Sequence, residues 1–250
     1  MRLYLLPCLL LSTALARAEP VAPSALPPLF ELAGIQLLCE QTVPMLQQGQ
    51  EQKQQALLGE LFEGQLFCQQ LAERVAPQLD HAQVAEIQRL LQGELAQRFT
   101  AAERSVGEQP EALAEYRERL QQQPVRGARL ELVQRLDQAA HTTDLASLLR
   151  YEVGKTQALL ALRARGDTLD EQPLQEQTQT QAEAIRRSSE QAVESFMLYA
   201  YRQMPSDQLA EYASLYEQPS VRLLFSASLE VVPQLFAERR ERIRQKAGKP

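Results

Sequence analysis

The chain has 250 residues, of which 44% are hydrophobic and 23% are charged, and its formal net charge at pH 7 is −6. This acidic balance argues against nucleic acid as a partner, because a protein that binds phosphates needs a basic footprint on its surface. Tryptophan and continuous runs of β-branched residues are absent, whereas alanine, leucine, glutamine and glutamate are abundant. These residues favour helices, so the composition predicts an all-α fold, a helical bundle of antiparallel hairpins.

The first 18 residues carry the three parts of a cleavable export signal. Arg2 supplies a positive charge, residues 3–15 form an apolar run, and Ala16-Arg17-Ala18 is a small-residue cleavage pattern. The apolar run is shorter than the roughly 20 residues that a membrane span needs, and no later run is longer. We therefore predict cleavage after Ala18, a periplasmic location and a mature chain without a transmembrane segment.

A proline-rich segment, residues 19–28 (EPVAPSALPP), follows the export signal. Its composition predicts an extended, mobile leader. Farther along the chain, Asp80 and Gln83 have the spacing of a capping box, which predicts a helix from His81 to about residue 103.

Two internal similarities suggest two related halves, residues 29–124 and 125–250. The segment 84–99 resembles the segment 209–225, which is one residue longer, at a spacing of 125 residues. The tetrapeptide LAEY also recurs, at Leu113 and Leu209, which is a spacing of 96 residues. Both spacings cannot describe one duplication, and the first fits the C-terminal hairpin better. We keep two related halves of about 100 residues as one interpretation.

The cysteines agree with export. Cys8 lies in the export signal, so the mature chain keeps Cys39 and Cys68, which an oxidising compartment would pair. They lie on two predicted helices, residues 29–47 and 51–75, and a hairpin between these helices would bring the two side chains together. The alternatives are two buried thiols or a redox centre, although a redox centre normally has C-x-x-C spacing. We favour a structural disulfide.

The stretch from Met204 to Phe236 predicts a helix, a turn and a second helix. Ser206 suits the N-terminal cap of the first helix. Pro219 must end that helix, because it has no amide hydrogen and restricts the residue before it, and it suits the start of the next helix. Both segments have apolar residues at helical spacing. We expect the two helices to pack against each other and to dock on the rest of the protein.

This stretch also resembles a known family. Six of its residues match the signature of domain-of-unknown-function family 2059: Pro205, Leu209, Tyr212, Tyr216, Pro219 and Leu224. The family consists of small helical proteins, mostly bacterial and exported, with no established enzymatic activity. The resemblance implies a compartment and a fold, and it carries over no catalytic residue. Val221 departs from the pattern, because the family usually has glycine at that position.

Motifs for catalysis or for cofactors are absent from the sequence. His81 and His141 lie in different segments, each without a second ligand at helical spacing, whereas a zinc site needs three or four ligands. We expect His81 to be exposed in a first helical turn and His141 to pair with Asp144. No nucleophile elbow or phosphate-binding glycine loop is present. The sequence therefore predicts no catalytic, cofactor-binding or metal-binding residue and no enzyme.

The C-terminal residues 238–250 form a basic tail with six cations and two carboxylates. This tail would allow weak contact with anionic lipid. The favoured interpretation is a helix C-terminus whose cations complement the helix dipole.

Tyrosines and apolar residues concentrate near the final hairpin. They predict either a binding surface or packed contacts between helices, and the residues concerned are Tyr199, Tyr201, Leu209, Tyr212, Tyr216, Leu224 and Phe225. As a function, the sequence favours a non-catalytic protein-binding or scaffolding module that uses a groove between helices. The alternative is a carrier or sensor of an amphipathic small molecule or lipid in a cavity between helices. The identity of the protein partner or amphipathic ligand does not follow from the sequence.

Overall fold

The computed structural model describes residues 20–107, 110–125 and 127–246. Within these ranges the chain forms α-helices, short 3-10 turns and connecting turns, with no strand, so the all-α prediction is confirmed. The predicted export signal, with its cleavage after Ala18, lies outside the described residues.

The helices of the first half precede residue 123. They are α1 (Leu26–Leu32), α2 (Ile35–Gln47), α3 (Gln52–Leu61), α4 (Gly64–Val75), α5 (His81–Leu91), α6 (Glu94–Gly107) and α7 (Pro110–Gln122). The helices of the second half are α8 (Ala128–Ala140), α9 (Thr142–Ala164), α10 (Glu171–Thr178), α11 (Ala182–Ala200), α12 (Ser206–Tyr216) and α13 (Pro219–Lys246). Among the described residues, none of these helices has the length and apolarity that crossing a membrane requires.

Three helices that the sequence predicts as continuous are each broken into two. Gly34 separates α1 from α2 in the left-handed conformation, with φ of 74°, which glycine adopts without a steric penalty. The carboxylate of Glu63 accepts hydrogen bonds from the amides of Gln65 and Leu66, and so begins α4 as a new helix. The predicted capping box at Asp80 and Gln83 is confirmed, but its helix ends at Leu91.

The described part of the proline-rich leader is folded onto the protein. Val21 and Leu26 are buried, residues Pro23–Ala25 form a 3-10 turn that packs on α4, and α1 follows directly. The prediction of an extended, mobile leader is therefore wrong for residues 20–28. Prolines in the first turn fit a helix start, and the apolar residues between them supply the buried contacts.

The predicted disulfide is confirmed, although the chain reaches it by a different route. Cys39 on α2 and Cys68 on α4 are bonded, with their Cα atoms 5.7 Å apart. Cys68 lies nearly twice as far from the turn at Gly49 as Cys39 does, so one two-helix hairpin would not align them. The break after α3 instead sends α4 back against α2. Gly64 permits this approach, because a Cβ there would lie 3.3 Å from the carbonyl oxygen of Cys39.

Helix boundaries in the two halves recur at a spacing of 125 residues. Helix α4 ends at Val75 and α11 ends at Ala200, and α5 and α12 then span 11 residues each. Helices α6 and α13 begin after a two-residue break in both halves. The spacing needs no inserted residue, so Phe99 corresponds to Leu224 rather than to Phe225.

Contacts between the halves are also reciprocal. Helix α6 packs on α11 and α12, while α13 packs on α4 and α5, and α2 packs on α9. Exchanging the two halves at this spacing converts the α6–α11 pair into the α13–α4 pair, and the α6–α12 pair into the α13–α5 pair. This recurrence supports the spacing of 125 residues over the spacing of 96. Common descent of the halves stays a prediction.

Three of the five cations in the described part of the basic tail face the interior. Arg239 and Arg240 are buried, and Arg244 is 11% exposed. Arg239 donates to the backbone oxygens of Leu61 and Leu235 and lies over the Phe67 ring, and burial lowers its pKa to about 10. The three inward-facing arginines bind α13 to the rest of the protein. Arg242 and Lys246 are exposed, so weak contact of the tail with anionic lipid stays a prediction.

Candidate functional site

The predicted tyrosine-rich surface lies in the interior. All seven of its residues are at most 7% exposed, because α12 packs against α6, α8 and α13. In this conformation these residues therefore form packed helix contacts and not an accessible surface. The residues are Tyr199, Tyr201, Leu209, Tyr212, Tyr216, Leu224 and Phe225.

A carboxylate that sequence reasoning did not single out, that of Glu103, contacts two of these tyrosines and is linked to a third through one of them. Tyr201 Oη donates to Glu103 Oε1 at 2.5 Å, and Tyr212 Oη lies 3.3 Å from the same oxygen. The hydroxyls of Tyr212 and Tyr216 are 3.0 Å apart. The Phe99 ring, one helical turn before Glu103, stacks on Tyr212 with centroids 4.2 Å apart. Phe99 and Glu103 are four residues apart, which places them on one face of α6. In the sequence alone this spacing is only a weak indication that the two side chains share a cluster.

Burial dominates the electrostatics of this cluster. It raises the pKa of Glu103, against the opposing effect of the hydrogen bonds from Tyr201 and Tyr212. It also raises the pKa of all three tyrosines. The Glu103 carboxylate can take up and release a proton. The aromatic side chains around it are packed against one another, so we interpret the cluster as part of the core.

The two histidines lie where the sequence predicts. His81 is exposed in the first turn of α5, and His141 Nδ1 lies 2.9 Å from Asp144 Oδ2. Asp144 also accepts a hydrogen bond from Arg186 at 2.8 Å, and these two partners lower its pKa although burial acts in the opposite direction. Within the described ranges, no three potential ligands among histidine, cysteine, aspartate and glutamate come together to hold a metal ion.

A second charged cluster fastens the C-terminal helix. Arg240 is fully buried, with Nη2 2.7 Å from Glu152 and 2.5 Å from Glu171. Lys155 Nζ lies 2.9 Å from Glu171. Although burial acts to raise the pKa of Glu171, hydrogen bonds from Arg240 and Lys155 lower it to about 2. Glu152 Oε2 lacks a well-aligned hydrogen bond, but the adjacent guanidinium compensates its charge. We interpret this closed cluster as structural.

A groove of about 550 Å³ lies between the end of α1, the end of α5 and one side of α6. Leu32, Leu91 and Ala101 give it apolar contacts, and Leu91 is buried at its base. Glu31 and Arg104 place opposite charges in its lining, and the remaining lining residues are polar: Gln97, Thr100 and Ser105. A groove of this size and composition suits one or two bulky side chains.

The corresponding positions in the second half carry buried aromatic residues. Leu91 corresponds to Tyr216 and Thr100 to Phe225 at the spacing of 125 residues. Tyr216 and Phe225 are 7% and 2% exposed, and their ring centroids are 5.8 Å apart. Two positions that line the groove in the first half thus carry smaller side chains than their counterparts in the second half, which are packed aromatic residues.

Comparison of the chain with known protein families, with curated proteins and with solved structures finds no match. Membership of family 2059 thus stays a prediction that depends on the residues of the final hairpin.

Proposed function

We propose that this chain is an exported, non-catalytic protein-binding module that takes a bulky apolar side chain of a partner protein into the groove between α1, α5 and α6. The observation that carries the proposal is the difference between the halves. At the corresponding positions the second half carries the buried Tyr216 and Phe225, whereas the first half has a groove of about 550 Å³.

The internal counterpart also indicates the chemistry of the occupant. Buried aromatic residues occupy the corresponding positions in the second half, so an aromatic side chain is the anchor that we expect from a partner. Aromatic residues commonly act as such anchors, because they bury a large area at a low cost in side-chain entropy. Glu31 and Arg104 offer opposite charges to the residues that flank the anchor.

We place this function in the periplasm. The bond between Cys39 and Cys68 supports an oxidising compartment, where disulfides form and persist. The pattern that ends in Ala18 supports a cleavable export signal. The resemblance of the final hairpin to family 2059 agrees with both.

A selection experiment tests the proposal. A library of random peptides is selected on the mature protein, and the enriched peptides are measured by fluorescence anisotropy on the wild type, on Thr100→Phe and on Ser226→Phe. Thr100→Phe copies Phe225 and fills the groove. Ser226→Phe adds the same side chain at an exposed position of α13 outside the groove.

We expect the selected peptides to contain phenylalanine, tyrosine or tryptophan. We also expect their affinity to fall at least about tenfold on Thr100→Phe and to be unchanged on Ser226→Phe, since a tenfold change corresponds to about 1.4 kcal/mol. Equal affinity for all three proteins would contradict the proposal. An amphiphile retained by the wild type in native mass spectrometry, and lost from Thr100→Phe, would establish the carrier alternative instead.

A further inference from the structure

Glu103 lies at a junction between the two halves of the protein. It projects from α6 of the first half, and its Oε1 accepts from Tyr201 Oη, at the end of α11, and lies within reach of Tyr212 Oη on α12. The side chain is half-buried, and Tyr201 and Tyr212 are each 1% exposed. The carboxylate thus joins α6 to two elements of the other half.

The equivalent junction between the halves is packed without a carboxylate or tyrosine hydroxyls. There, α13 meets α5, and the counterparts of Glu103, Tyr201 and Tyr212 are Ser228, Ala76 and Ile87. All three counterparts are fully buried, and the Ser228 hydroxyl donates to the Leu224 backbone oxygen of its own helix. A buried carboxylate and its tyrosines are therefore an addition at one of two similar junctions, not a requirement of the packing.

The groups that face Glu103 stabilise its ionised form by hydrogen bonds from Tyr201 and Tyr212, but they place no positive charge in contact with it. Arg104, the next residue on α6, is exposed and interacts with Glu103 only by a through-space Coulomb attraction. Helices α11 and α12 contribute the hydroxyls of Tyr201, Tyr212 and, through Tyr212, Tyr216. The described contacts of Glu103 include no charged side chain from α5 or α7, which also pack on α6. An ionised carboxylate in such surroundings is costly, and the neutral acid is not.

We propose that Glu103 is a proton-dependent latch that holds α6 against the final hairpin more tightly when it is protonated. Burial raises the pKa of Glu103 above the ordinary glutamate value of 4.5. A raised folded-state pKa means that this stabilisation is fully present below the unfolded-state pKa and is lost as the pH rises through the folded-state pKa. The latch is therefore tight in acid and weaker at neutral and alkaline pH.

The same helix forms a wall of the groove. Thr100, Ala101, Arg104 and Ser105 line the groove on one side of α6, while Glu103 faces the tyrosines on another. A change in how firmly α6 is held should therefore alter the groove wall. Regulation of partner binding by pH rests on the proposed function, but the latch itself can be tested without a partner.

The test measures the latch on the intact mature protein. ¹³C NMR follows the titration of the Glu103 side-chain carboxyl, and urea unfolding is measured between about pH 5 and pH 8 for the wild type and Glu103→Gln. Glutamine is neutral and keeps an oxygen that can accept from Tyr201. Glu230→Gln is the matched control, because Glu230 is exposed on α13.

We expect Glu103 to titrate above 4.5. We also expect the ratio of the unfolding equilibrium constants, wild type over Glu103→Gln, to rise with pH. The rise should be at most about tenfold per pH unit. Glu230→Gln should follow the wild type. A Glu103 titration at or below 4.5, or parallel curves for wild type and Glu103→Gln, would overturn the latch.

Hydrogen exchange of the amides of residues 100–105 tests the link to the groove. Protection corrected for the intrinsic exchange rate should fall as Glu103 ionises in the wild type and should stay constant in Glu103→Gln. Unchanged protection in a protein whose Glu103 does titrate would overturn the link to the groove. Neither readout involves a partner, so failure of the latch and failure of the proposed function are distinguishable.

Discussion

Thr100 and Phe225 occupy corresponding positions 125 residues apart, and their surroundings differ in one respect. Phe225 is 2% exposed and packs against Tyr216, whereas Thr100 lines an open groove. Two similar helical arrangements thus differ where one of them has room for another molecule. This difference is the physical basis of the proposed binding function.

Filling the groove should stabilise the free protein. We expect Thr100→Phe to raise the free energy of unfolding by about 1 kcal/mol, because the new ring becomes partly buried against Leu32 and Leu91. Urea unfolding measures the change, and Ser226→Phe, which is exposed, should be neutral. A loss of stability in Thr100→Phe would mean that the space does not accept a ring.

The disulfide should supply a substantial part of the stability. Cys39 and Cys68 are 29 residues apart in sequence, and closing a loop of that length contributes about 3.6 kcal/mol in the chain-entropy model. We expect Cys39→Ala/Cys68→Ala to lose about that amount in urea unfolding, and reduced wild type to behave similarly. Equal stability of the oxidised wild type and the double variant would contradict this account.

Arg240 should be among the most sensitive positions of the C-terminal helix. Its guanidinium is fully buried between Glu152 and Glu171, so Arg240→Leu would leave carboxylates without their main counter-charge. The expected loss is about 3–5 kcal/mol. Arg242→Leu, at an exposed position of the same helix, should change stability by less than about 0.5 kcal/mol. Similar effects of the two substitutions would show that the buried cluster is not stabilising.

Glu171 should make the protein sensitive to strong acid. Its pKa is lowered from 4.5 to about 2, so its stabilising contribution is present above the unfolded-state value and is lost as the pH falls toward about 2. Unfolding midpoints measured across this range should fall more steeply for the wild type than for Glu171→Gln. Because Glu171 is 32% exposed, solvent screening will moderate the difference. Parallel curves would contradict the lowered pKa.

Features that depend on local residue patterns could be predicted from the sequence. The helical class, the capping box at Asp80, the pair of Cys39 and Cys68 and the contact of His141 with Asp144 all follow from neighbouring residues or from composition. The helix breaks were less predictable, because a glycine such as Gly34 is tolerated within helices as well as at their ends.

The site itself could not be predicted, because it depends on how distant helices meet. The tyrosines near the final hairpin predicted either a binding surface or packed contacts, and the packing of α6 and α8 against α12 buries them. Glu103 is one of many carboxylates on helices, and only its position opposite Tyr201 distinguishes it. The groove is a difference between two halves, so it is visible only after Thr100 and Phe225 have been placed in corresponding positions.

Site-specific photocrosslinking in the periplasm tests the binding function most directly. A photoreactive residue replaces Ala101, which is exposed on the groove wall, and in a second protein it replaces Ser226 as the control. We predict that position 101 crosslinks to a protein segment containing an aromatic residue, identified by mass spectrometry, and that Thr100→Phe abolishes this crosslink. The same crosslink with the groove filled, or from position 226, would contradict the account.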